Sequence, residues 1–367
     1  MALVLVQEIP LDTAPRHCVG ACTDRIAGRI DHFAVDVLGK RIFLACLGNN
    51  TVEVVDAYTG AKVYTIGCRE GEELDRPTGL CYVPGGAHGA AKLYVANAGG
   101  FVDAFDGTSL AWLKRIIVSD ADNLRYSPSA GIVLVGCGDG EIAAIDCSTN
   151  ELRNDGASCW ALGAHPESFQ LMQSSGYVAS TEVVIVNVAD AASVVALPFP
   201  PGSPQQWACT LPAPLGANFA MALNAAAGHV LIVTRRPPRL VVLDATSGAL
   251  LDAAVDPAAA ARCVADADDV FFDDQRRRVY VIGGAGFVSV YQFTPASPGA
   301  STDSRLGMET ISAMGRYIFV QEVPTAVGAR TGTWFAGRHR LYVAAPATSA
   351  LGARLLVYEA TDAVGEP

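Results

Sequence analysis

A phrase of two apolar runs recurs along the 367-residue chain, and this repeat constrains the fold more than any other feature. In the first copy, Arg41–Cys46 is followed after a short polar turn by Thr51–Asp56. Later copies begin at Lys92, Ile132, Tyr177, His229, Arg278 and Arg340. The copy at Tyr177 is degenerate and pairs 177–180 with 183–187. Seven copies indicate seven structural units of one kind.

A polar residue closes the second run of every copy, and its spacing identifies the unit. These residues are Asp56, Asp106, Asp146, Asn187, Asp244, Gln292 and Glu359. Their intervals, roughly 40 to 67 residues, suit a four-stranded propeller blade of about 40–50 residues. Asp and Asn at the end of a strand bond the backbone of the following turn, so these positions predict turns rather than catalysis. The sequence therefore predicts an all-β fold, a seven-bladed β-propeller with four-stranded antiparallel blades.

The two ends of the chain are predicted to close the ring. The segment Leu3–Pro10 (LVLVQEIP) closely matches Tyr317 to Pro324 (YIFVQEVP), which occupies the place of the outer strand of blade 6. By analogy, the N-terminal copy forms the outer strand of blade 7 and pairs with the strand around 355–359, which removes the open edges of the array. One domain over 1–367 is expected. Its blades fall at 29–70, 76–119, 120–157, 165–200, 216–256, 266–324 and 328–361, with the N-terminal strand at 2–10.

Two phrases carry a resemblance to a known family. GNNTVEVVD at 48–56 and LYVAN at 93–97 resemble the YVTN-type β-propeller repeat family, whose members are seven-bladed and YncE-like. The resemblance implies this fold over nearly the whole chain but no particular activity, because propellers host many functions. Bacterial members of this group are often exported.

Charge and the N-terminal sequence bear on partners and location. The formal net charge is −11 and no basic stripe occurs, which argues against nucleic-acid and membrane partners. No run of about 18 apolar residues is present, so no transmembrane helix is expected. The N-terminal MALVLVQEIPL lacks the basic region and apolar length of a signal peptide. A cytoplasmic protein is predicted, although a mature exported chain would look the same.

Ten cysteines are scattered along the chain. Cys18 and Cys22, next to His17, form a C-x3-C pair without a second pair, which is a weak zinc signal, and their redox state is left open. Cys46 and Cys81 lie inside apolar strand patterns, where cysteine usually acts as a small buried hydrophobe. The scattered cysteines therefore predict core packing rather than chemistry.

Polar residues precede the predicted innermost strand of each blade. Because ring closure brings these positions together, they should meet at one mouth of the central channel. The segments are 29–32, 76–79, 120–123, 165–168, 218–219, 266–269 and 328–331. His32 and His165 belong to blades 1 and 4 and are expected to face each other across the channel. The sequence therefore predicts a composite site at the channel mouth.

Roles at this mouth follow from side-chain chemistry. Carboxylates of Asp122, Asp268 and Asp269 could hold a divalent metal ion, the one cofactor considered. Arg330 could bind a carboxylate or phosphate of a small, anionic substrate, with Asn123, Asn218 and Asp31 as further substrate-binding residues, and with Arg29 or Arg125 as other candidate cations. His32, His165 and Glu167 are the candidate catalytic residues. They would move protons in a metal-assisted lyase or lactonase-like hydrolase reaction.

Two alternatives remain at this point. The polar mouth residues could brace neighbouring blades without binding anything. The protein could also be a non-catalytic interaction scaffold whose partner contacts the rim, with the irregular segments 198–216 and 294–315 as candidates. No G-x-S-x-G, Walker or H-E-x-x-H motif occurs, so the chemistries of those motifs lack support.

Overall fold

The computed structural model describes residues 1–12, 26–68, 71–153, 160–173, 182–199, 205–251, 262–296 and 315–362. Within these ranges, the strands form seven antiparallel sheets, one for each predicted repeat. The sheets follow one another along the chain as the seven blades of a propeller. The predicted fold class is confirmed.

The first four blades follow chain order. Blade 1 contains β2 (Phe33–Asp36), β3 (Arg41–Cys46), β4 (Thr51–Asp56) and β5 (Lys62–Ile66). Blade 2 contains β6 (Pro77–Val83), β7 (Lys92–Asn97), β8 (Phe101–Asp106) and β9 (Trp112–Ile117). Blade 3 contains β10 (Leu124–Ser127), β11 (Ile132–Cys137) and β12 (Glu141–Asp146), with β13 (Glu151–Leu152) and β14 (Trp160–Ala161) both paired to β12. Blade 4 contains β15 (Ser168–Gln173), β16 (Glu182–Val188), β17 (Ser193–Pro198) and β18 (Trp207–Thr210).

The last three blades complete the ring. Blade 5 contains β19 (Gly216–Asn224), β20 (His229–Arg236) and β21 (Pro238–Asp244). Blade 6 contains β22 (Ala267–Asp273), β23 (Arg278–Gly283), β24 (Phe287–Thr294) and β25 (Arg316–Pro324). Blade 7 contains β26 (Gly332–Phe335), β27 (Arg340–Ala345), β28 (Arg354–Ala360) and the N-terminal β1 (Leu3–Pro10). Residues 252–261, which include the predicted end of blade 5, lie outside the described residues.

The N-terminal strand closes blade 7 as predicted. It runs antiparallel to β28, with Leu3 opposite Ala360 and Pro10 opposite Arg354. The neighbouring blade 6 also holds it, because the Arg278 guanidinium donates to the Ala2 carbonyl at 3.1 Å. Pairing of the two chain ends satisfies backbone groups that an open array would expose.

The hydrophobic core consists of seven clusters, each shared by two neighbouring blades. Adjacent residues of one strand belong to different clusters: Leu134 packs towards blade 4, whereas Val135 packs towards blade 2. Representative pairs around the ring are Phe43 with Leu93, Val102 with Val135, Leu134 with Val184, Ile185 with Ile232, Leu231 with Val281, Ile282 with Val343, and Leu355 with Ile42. Burial on both faces explains why the strands read as continuous apolar runs.

The residues that close the repeats behave as predicted in four blades. Asp56 accepts the backbone N–H of Tyr58 at 2.8 Å and of Thr59 at 2.7 Å. Equivalent turns follow Asp106, Asp146 and Asp244. These aspartates stabilise the hairpin that leads to the outer strand.

Blade 4 departs from the predicted strand order. As the second run of its copy, 183–187 is predicted to be the third strand of its blade, but it lies in β16, which pairs with the innermost strand β15 and is the second strand. The first run of that copy, 177–180, lies outside the described residues. Asn187 therefore does not cap a turn. It is fully buried, and its Nδ2 donates to Ser168 Oγ at 3.0 Å and to the Phe219 carbonyl of blade 5 at 3.3 Å.

The cysteines of the described strands pack mostly as small apolar residues. Cys46 and Cys81 are buried and form no disulfide, as predicted, and Cys137 is buried as well. Cys68 differs, because it is disulfide-bonded. Cys18 and Cys22 lie outside the described residues. No helix in the described part of the chain has the length and apolar character needed to cross a membrane.

Candidate functional site

A cavity of about 260 Å³ lies at the end of the channel where the chain enters the innermost strands. Residues from all seven blades line it. The ionisable ones are Arg29, Asp31, His32, Asp120, Asp122, Arg125, His165, Glu167, Arg235, Asp268, Asp269 and Arg330. Partial exposure of Arg29 (49%) and Arg330 (31%) leaves the cavity accessible from solvent.

Nine of the ten residues predicted for the site line this cavity. They are His32, His165, Glu167, Arg330, Asn123, Asp31, Asp122, Asp268 and Asp269. The tenth, Asn218, does not line it. Its side chain is fully buried and donates to Asn187 Oδ1 at 3.1 Å and to the Ser193 carbonyl at 2.9 Å, so it braces blades 4 and 5.

A repeated backbone conformation places the lining residues. One residue at each blade entrance has a left-handed backbone: Gly28, Arg76, Asp120, Gly163, Ala217, Asp266 and Gly328, with φ between 48° and 84°. In six blades the side chain two residues later lines the cavity: Thr78, Asp122, His165, Phe219, Asp268 and Arg330. Because the turn recurs at the same place in each blade, distant parts of the sequence converge on one point.

His32 lies between two carboxylates. Its Nδ1 is 3.7 Å from Asp269 Oδ1, and its Nε2 is 3.8 Å from Asp31 Oδ1. Burial lowers the pKa of the imidazole, but Asp269, Asp31 and Asp122 outweigh it and raise the pKa to about 10. His32 is therefore a cation at neutral pH.

His165 has a similar environment in blade 4. Its Nδ1 lies 2.9 Å from the Gly138 carbonyl, and its Nε2 lies 3.7 Å from Asp122 Oδ2. Asp122 raises the pKa of the imidazole to about 9, against the opposing effect of burial. Burial pushes the pKa of Asp122 upward, but His165 and His32 outweigh it, so the net shift is downward.

The donor set does not fit a divalent metal ion well. Imidazole binds a metal through an unprotonated nitrogen. In both histidines, however, neighbouring carboxylates raise the pKa and so favour the protonated imidazolium form. Among the described residues, no three His, Cys, Asp or Glu side chains come together in a ligand arrangement. The metal ion stays a prediction.

Three arginines form ion pairs with two aspartates of blade 6, and Arg29 also pairs with Asp31 at 3.1 Å. Arg330 Nη2 lies 3.0 Å from Asp266 Oδ2, and Arg29 Nη2 lies 3.7 Å from Asp268 Oδ2. Arg235 pairs with Asp268, and its guanidinium lies 3.9 Å from the centroid of the Phe219 ring. Burial raises the pKa of Asp268, and the charges of Arg235 and Arg29 oppose that shift.

Sequence reasoning missed Arg235 because it looked only at residues that precede innermost strands. Arg235 lies near the end of β20, the second strand of blade 5. Since β19 and β20 are antiparallel and Gly216 faces Arg236, the end of β20 lies beside the start of β19. A search of the ends of second strands, where the sequence reads TRRPP, would have found it.

Arg125 is the cavity arginine that pairs with no carboxylate of the described residues. Its Nη1 donates to the Leu124 carbonyl at 2.8 Å, and its guanidinium lies 5.7 Å from the Phe169 ring centroid. Burial lowers the pKa of this guanidinium, and the charges of Asp269 and Asp122 only partly oppose that shift. A half-buried guanidinium without an ion-pair partner among the described residues favours an anionic ligand.

Two acids in the cavity are shifted towards their protonated forms. Burial raises the pKa of Asp31 to about 6, against the charges of His32 and Arg29. Burial also raises the pKa of Glu167, against the charge of His165. Carboxylates with raised pKa values accept and return protons near neutral pH more readily than ordinary ones do.

Uncharged and charged side chains both brace neighbouring blades at this end of the channel. Thr331 Oγ1 of blade 7 donates to the Ile30 carbonyl of blade 1 at 3.0 Å, and Thr78 Oγ1 of blade 2 donates to the Ala121 carbonyl of blade 3 at 3.1 Å. Asn123 Nδ2 donates to the Glu167 carbonyl, while its buried Oδ1 has no partner among the described residues. Hydroxyl and amide side chains thus hold the ring together with ion pairs between blades, such as His165 with Asp122, whose charged groups also line the cavity.

Comparison with known proteins identifies the fold and little else. The sequence matches no protein-family model and no curated protein. Among solved structures, the chain is similar to a chain of Kuenenia stuttgartiensis hydrazine synthase, with a TM-score of 0.51 and 17% sequence identity. The match covers 89% of this chain and 94% of that chain. At this identity the likeness concerns the fold alone.

Proposed function

We propose that the protein binds a small, acid-bearing polar molecule at the channel mouth and acts on it by proton transfer, as a lyase or hydrolase does. The observation that carries the proposal is the convergence of twelve ionisable side chains from six blades on one accessible cavity. With both histidines protonated, four arginines and two histidines balance six carboxyl groups. A balanced, partly buried set of charges suits a polar ligand that offers both hydrogen-bond donors and acceptors.

The proton chemistry follows from the two pKa patterns. His165 carries a proton at neutral pH and could donate it to a leaving group of the ligand. Glu167, whose pKa burial raises, lines the same cavity and could accept a proton from the ligand. Pairs of groups with pKa values pushed in these ways suit general acid and base roles.

Ligand binding is tested by calorimetric titration of the purified chain with acetate, glutamate and citrate, alongside native mass spectrometry for a co-purifying molecule. Arg330→Gln is the test variant, and Lys114→Gln is the control, because both remove one positive charge while Lys114 pairs with Glu151 on the outside of the propeller. We expect Arg330→Gln to weaken acid binding about tenfold and Lys114→Gln to leave it unchanged. Absence of any bound acid, or equal effects of the two variants, would contradict the proposal.

The scaffold alternative has one supporting observation. Apolar side chains are exposed on outer strands of adjacent blades: Leu5 (45%) and Val6 (45%) on β1, and Ile318 (44%) and Val320 (47%) on β25. The rim segment that the alternative invokes, 294–315, lies mostly outside the described residues. Deleting 297–314 should abolish partner capture if the protein is a scaffold, and should leave acid binding intact if our proposal is right.

Family and location belong to the same set of proposals. We infer that the chain is a divergent propeller of the YVTN type, on the strength of the phrases at 48–56 and 93–97. For location we keep the cytoplasm, with the exported form as the alternative that the disulfide at Cys68 favours, since disulfides persist mainly in oxidising compartments. Alkylation of the protein in its native cells, followed by mass analysis, decides between them: an unmodified Cys68 means a disulfide in place.

A further inference from the structure

A second cavity, of about 360 Å³, lies in the channel next to the mouth. The innermost strands of the blades form its wall. The two cavities share three lining residues, His32, Arg125 and Asp269, which therefore form the layer where they meet. A ligand that reaches this layer from the mouth can extend into the second cavity.

The second cavity is lined mainly by aromatic and aliphatic side chains. Phe33, Tyr82, Tyr126 and Phe271 contribute rings, each half-buried in the channel wall, and Val35 contributes an aliphatic group. The mouth, by contrast, is lined mostly by charged groups. The channel wall therefore becomes richer in apolar side chains across the shared layer, although Gln170 and Thr333 also line the second cavity.

The charged groups of the shared layer differ in whether they have a partner. Asp269 has two partners, because its Oδ2 accepts the Gly332 N–H at 2.8 Å and its Oδ1 pairs with His32 at 3.7 Å. Arg125 has no carboxylate partner among the described residues. A guanidinium at the boundary between a polar and an apolar cavity is placed to bind a carboxylate whose hydrocarbon part continues into the apolar side.

We propose that the ligand of this channel is a carboxylic acid with a hydrophobic, preferably aromatic, tail, bound with its carboxylate at Arg125 and its tail among Phe33, Tyr82, Tyr126 and Phe271. The inference rests on the proposed function and names the substrate class of that site. The second cavity is near the lower end of the volumes that hold organic ligands, about 300 Å³ and upward, so the tail is small.

Calorimetric titration with four probes tests the inference: acetate, phenylacetate, 3-phenylpropionate and the uncharged 3-phenylpropanamide. We expect the affinity for 3-phenylpropionate to exceed that for acetate about tenfold or more, because the tail leaves water. In the natural chain, 3-phenylpropionate should bind more tightly than the uncharged 3-phenylpropanamide, because the amide cannot form an ion pair with Arg125. Arg125→Gln should remove the preference for the acid over the amide.

Variants of two neighbouring valines locate the tail. Val35→Trp fills the second cavity and should abolish the gain from the tail while leaving acetate binding unchanged. Val37→Trp introduces the same bulk at a position that is 60% exposed and should change neither. If Val35→Trp also loses acetate, Val35→Met decides, and it must weaken 3-phenylpropionate without weakening acetate.

The outcomes separate this inference from the function on which it rests. Equal affinities for acetate and 3-phenylpropionate, or a tail gain that survives both substitutions of Val35, would overturn the inference and leave a polar-ligand site at the mouth intact. If neither glutamate nor citrate nor any of the four probes binds the natural chain, both the inference and the proposed function are overturned. Binding that follows the tail, the charge and Val35 together supports both.

Discussion

His32 and His165 owe their charge to neighbours rather than to their own chemistry. Each lies in a partly buried place that would favour the neutral imidazole, yet each lies within 4 Å of a carboxylate from another blade or segment. Because the carboxylate is fixed by the fold, its effect outweighs burial. The two residues therefore enter any reaction as acids, and the resting state of the site is an array of ion pairs.

The histidine charges predict how stability depends on pH. The pKa values of His32 and His165 rise from 6.5 in the unfolded chain to about 10 and about 9 in the fold. Their contribution to stability is therefore complete below about pH 6.5 and is lost as the pH rises through 9 and 10. We expect the free energy of unfolding in urea to fall between pH 7 and 10 by more in the natural chain than in the double variant His32→Gln, His165→Gln.

Subtracting the double variant removes the titration of groups that lie away from the two histidines. Asp31, whose pKa is raised to about 6, has lost most of its proton before this window begins in the natural chain, but loss of the His32 charge raises that pKa further in the variant, so His165→Gln alone is measured as well. Imidazole NMR signals give an independent measurement: Asp122→Asn should lower the pKa of His165. Equal pH dependence in the natural chain and the double variant would show that the ion pairs do not form.

Gly79 makes a prediction about how the backbone supports the site. A Cβ at Gly79 would lie 1.9 Å from the Asp122 carbonyl oxygen, so the entrance of blade 3 would have to move. We expect Gly79→Ala to cost about 1–3 kcal/mol in urea unfolding and to lower the pKa of His165, because Asp122 shifts. Gly86→Ala is the control, since nothing lies within 4 Å of its Cβ, and it should change stability by less than about 0.5 kcal/mol. Similar costs for both would contradict this close approach.

At the scale of the element, two-sided burial explains both the success and the failure of strand prediction. A strand between two blade interfaces is apolar on both faces, so it appears in the sequence as a continuous apolar run. Because the run lacks a polar–apolar alternation, the sequence does not show whether it is the second or the third strand of its blade. In blade 4 the run 183–187 therefore lies one strand closer to the channel than predicted. Asn187 matches the turn aspartates of other blades in sequence, but its side chain donates a hydrogen bond to the Phe219 carbonyl of blade 5.

The closing strand β1 is buried near its two ends and exposed in its middle, which gives a matched pair of substitutions. Leu3 is 1% exposed and packs in the cluster between blades 6 and 7, whereas Leu5 is 45% exposed. Leu3→Ala should cost about 2–5 kcal/mol, as expected for a buried leucine. Leu5→Ala should cost less than about 0.5 kcal/mol. Equal costs in chemical denaturation would show that Leu3 is not packed between blades 6 and 7 as the structure has it.

At the scale of the whole molecule, ring closure couples all seven blades. Linear repeat arrays unfold approximately as sums of neighbouring terms. Here the seven clusters form a closed cycle, because blade 7 packs on blade 1 through residues such as Leu355 and Ile42. Loss of one interface opens the ring and weakens every other.

Four tryptophans report on this coupling. They lie in blade 2 (Trp112), blade 3 (Trp160), blade 4 (Trp207) and blade 7 (Trp334). In protein that contains 5-fluorotryptophan, we expect the four fluorine NMR signals to disappear at the same urea concentration. Leu3→Ala should lower that concentration for all four signals together. Separate midpoints would show that the blades unfold independently.

The sequence by itself determined the fold and most members of the candidate site. Repeated apolar runs, turn aspartates and the match of Leu3–Pro10 to the outer strand of blade 6 required seven blades and a closed ring, because these signals are local and recur. Nine of ten predicted residues line the cavity, since the position before an innermost strand is readable in every repeat.

Only the tertiary structure decided what those residues can do. The side chain of Asn218 is buried in a contact between blades, and Arg235 reaches the cavity from a second strand; both depend on packing that sequence spacing does not encode. The charges of His32 and His165, the lack of a carboxylate partner for Arg125 in the described part of the chain, and the cavity with aromatic walls next to it arise from distances between blades. Electrostatic energy depends on those distances and on burial, and both exist only after the ring has closed.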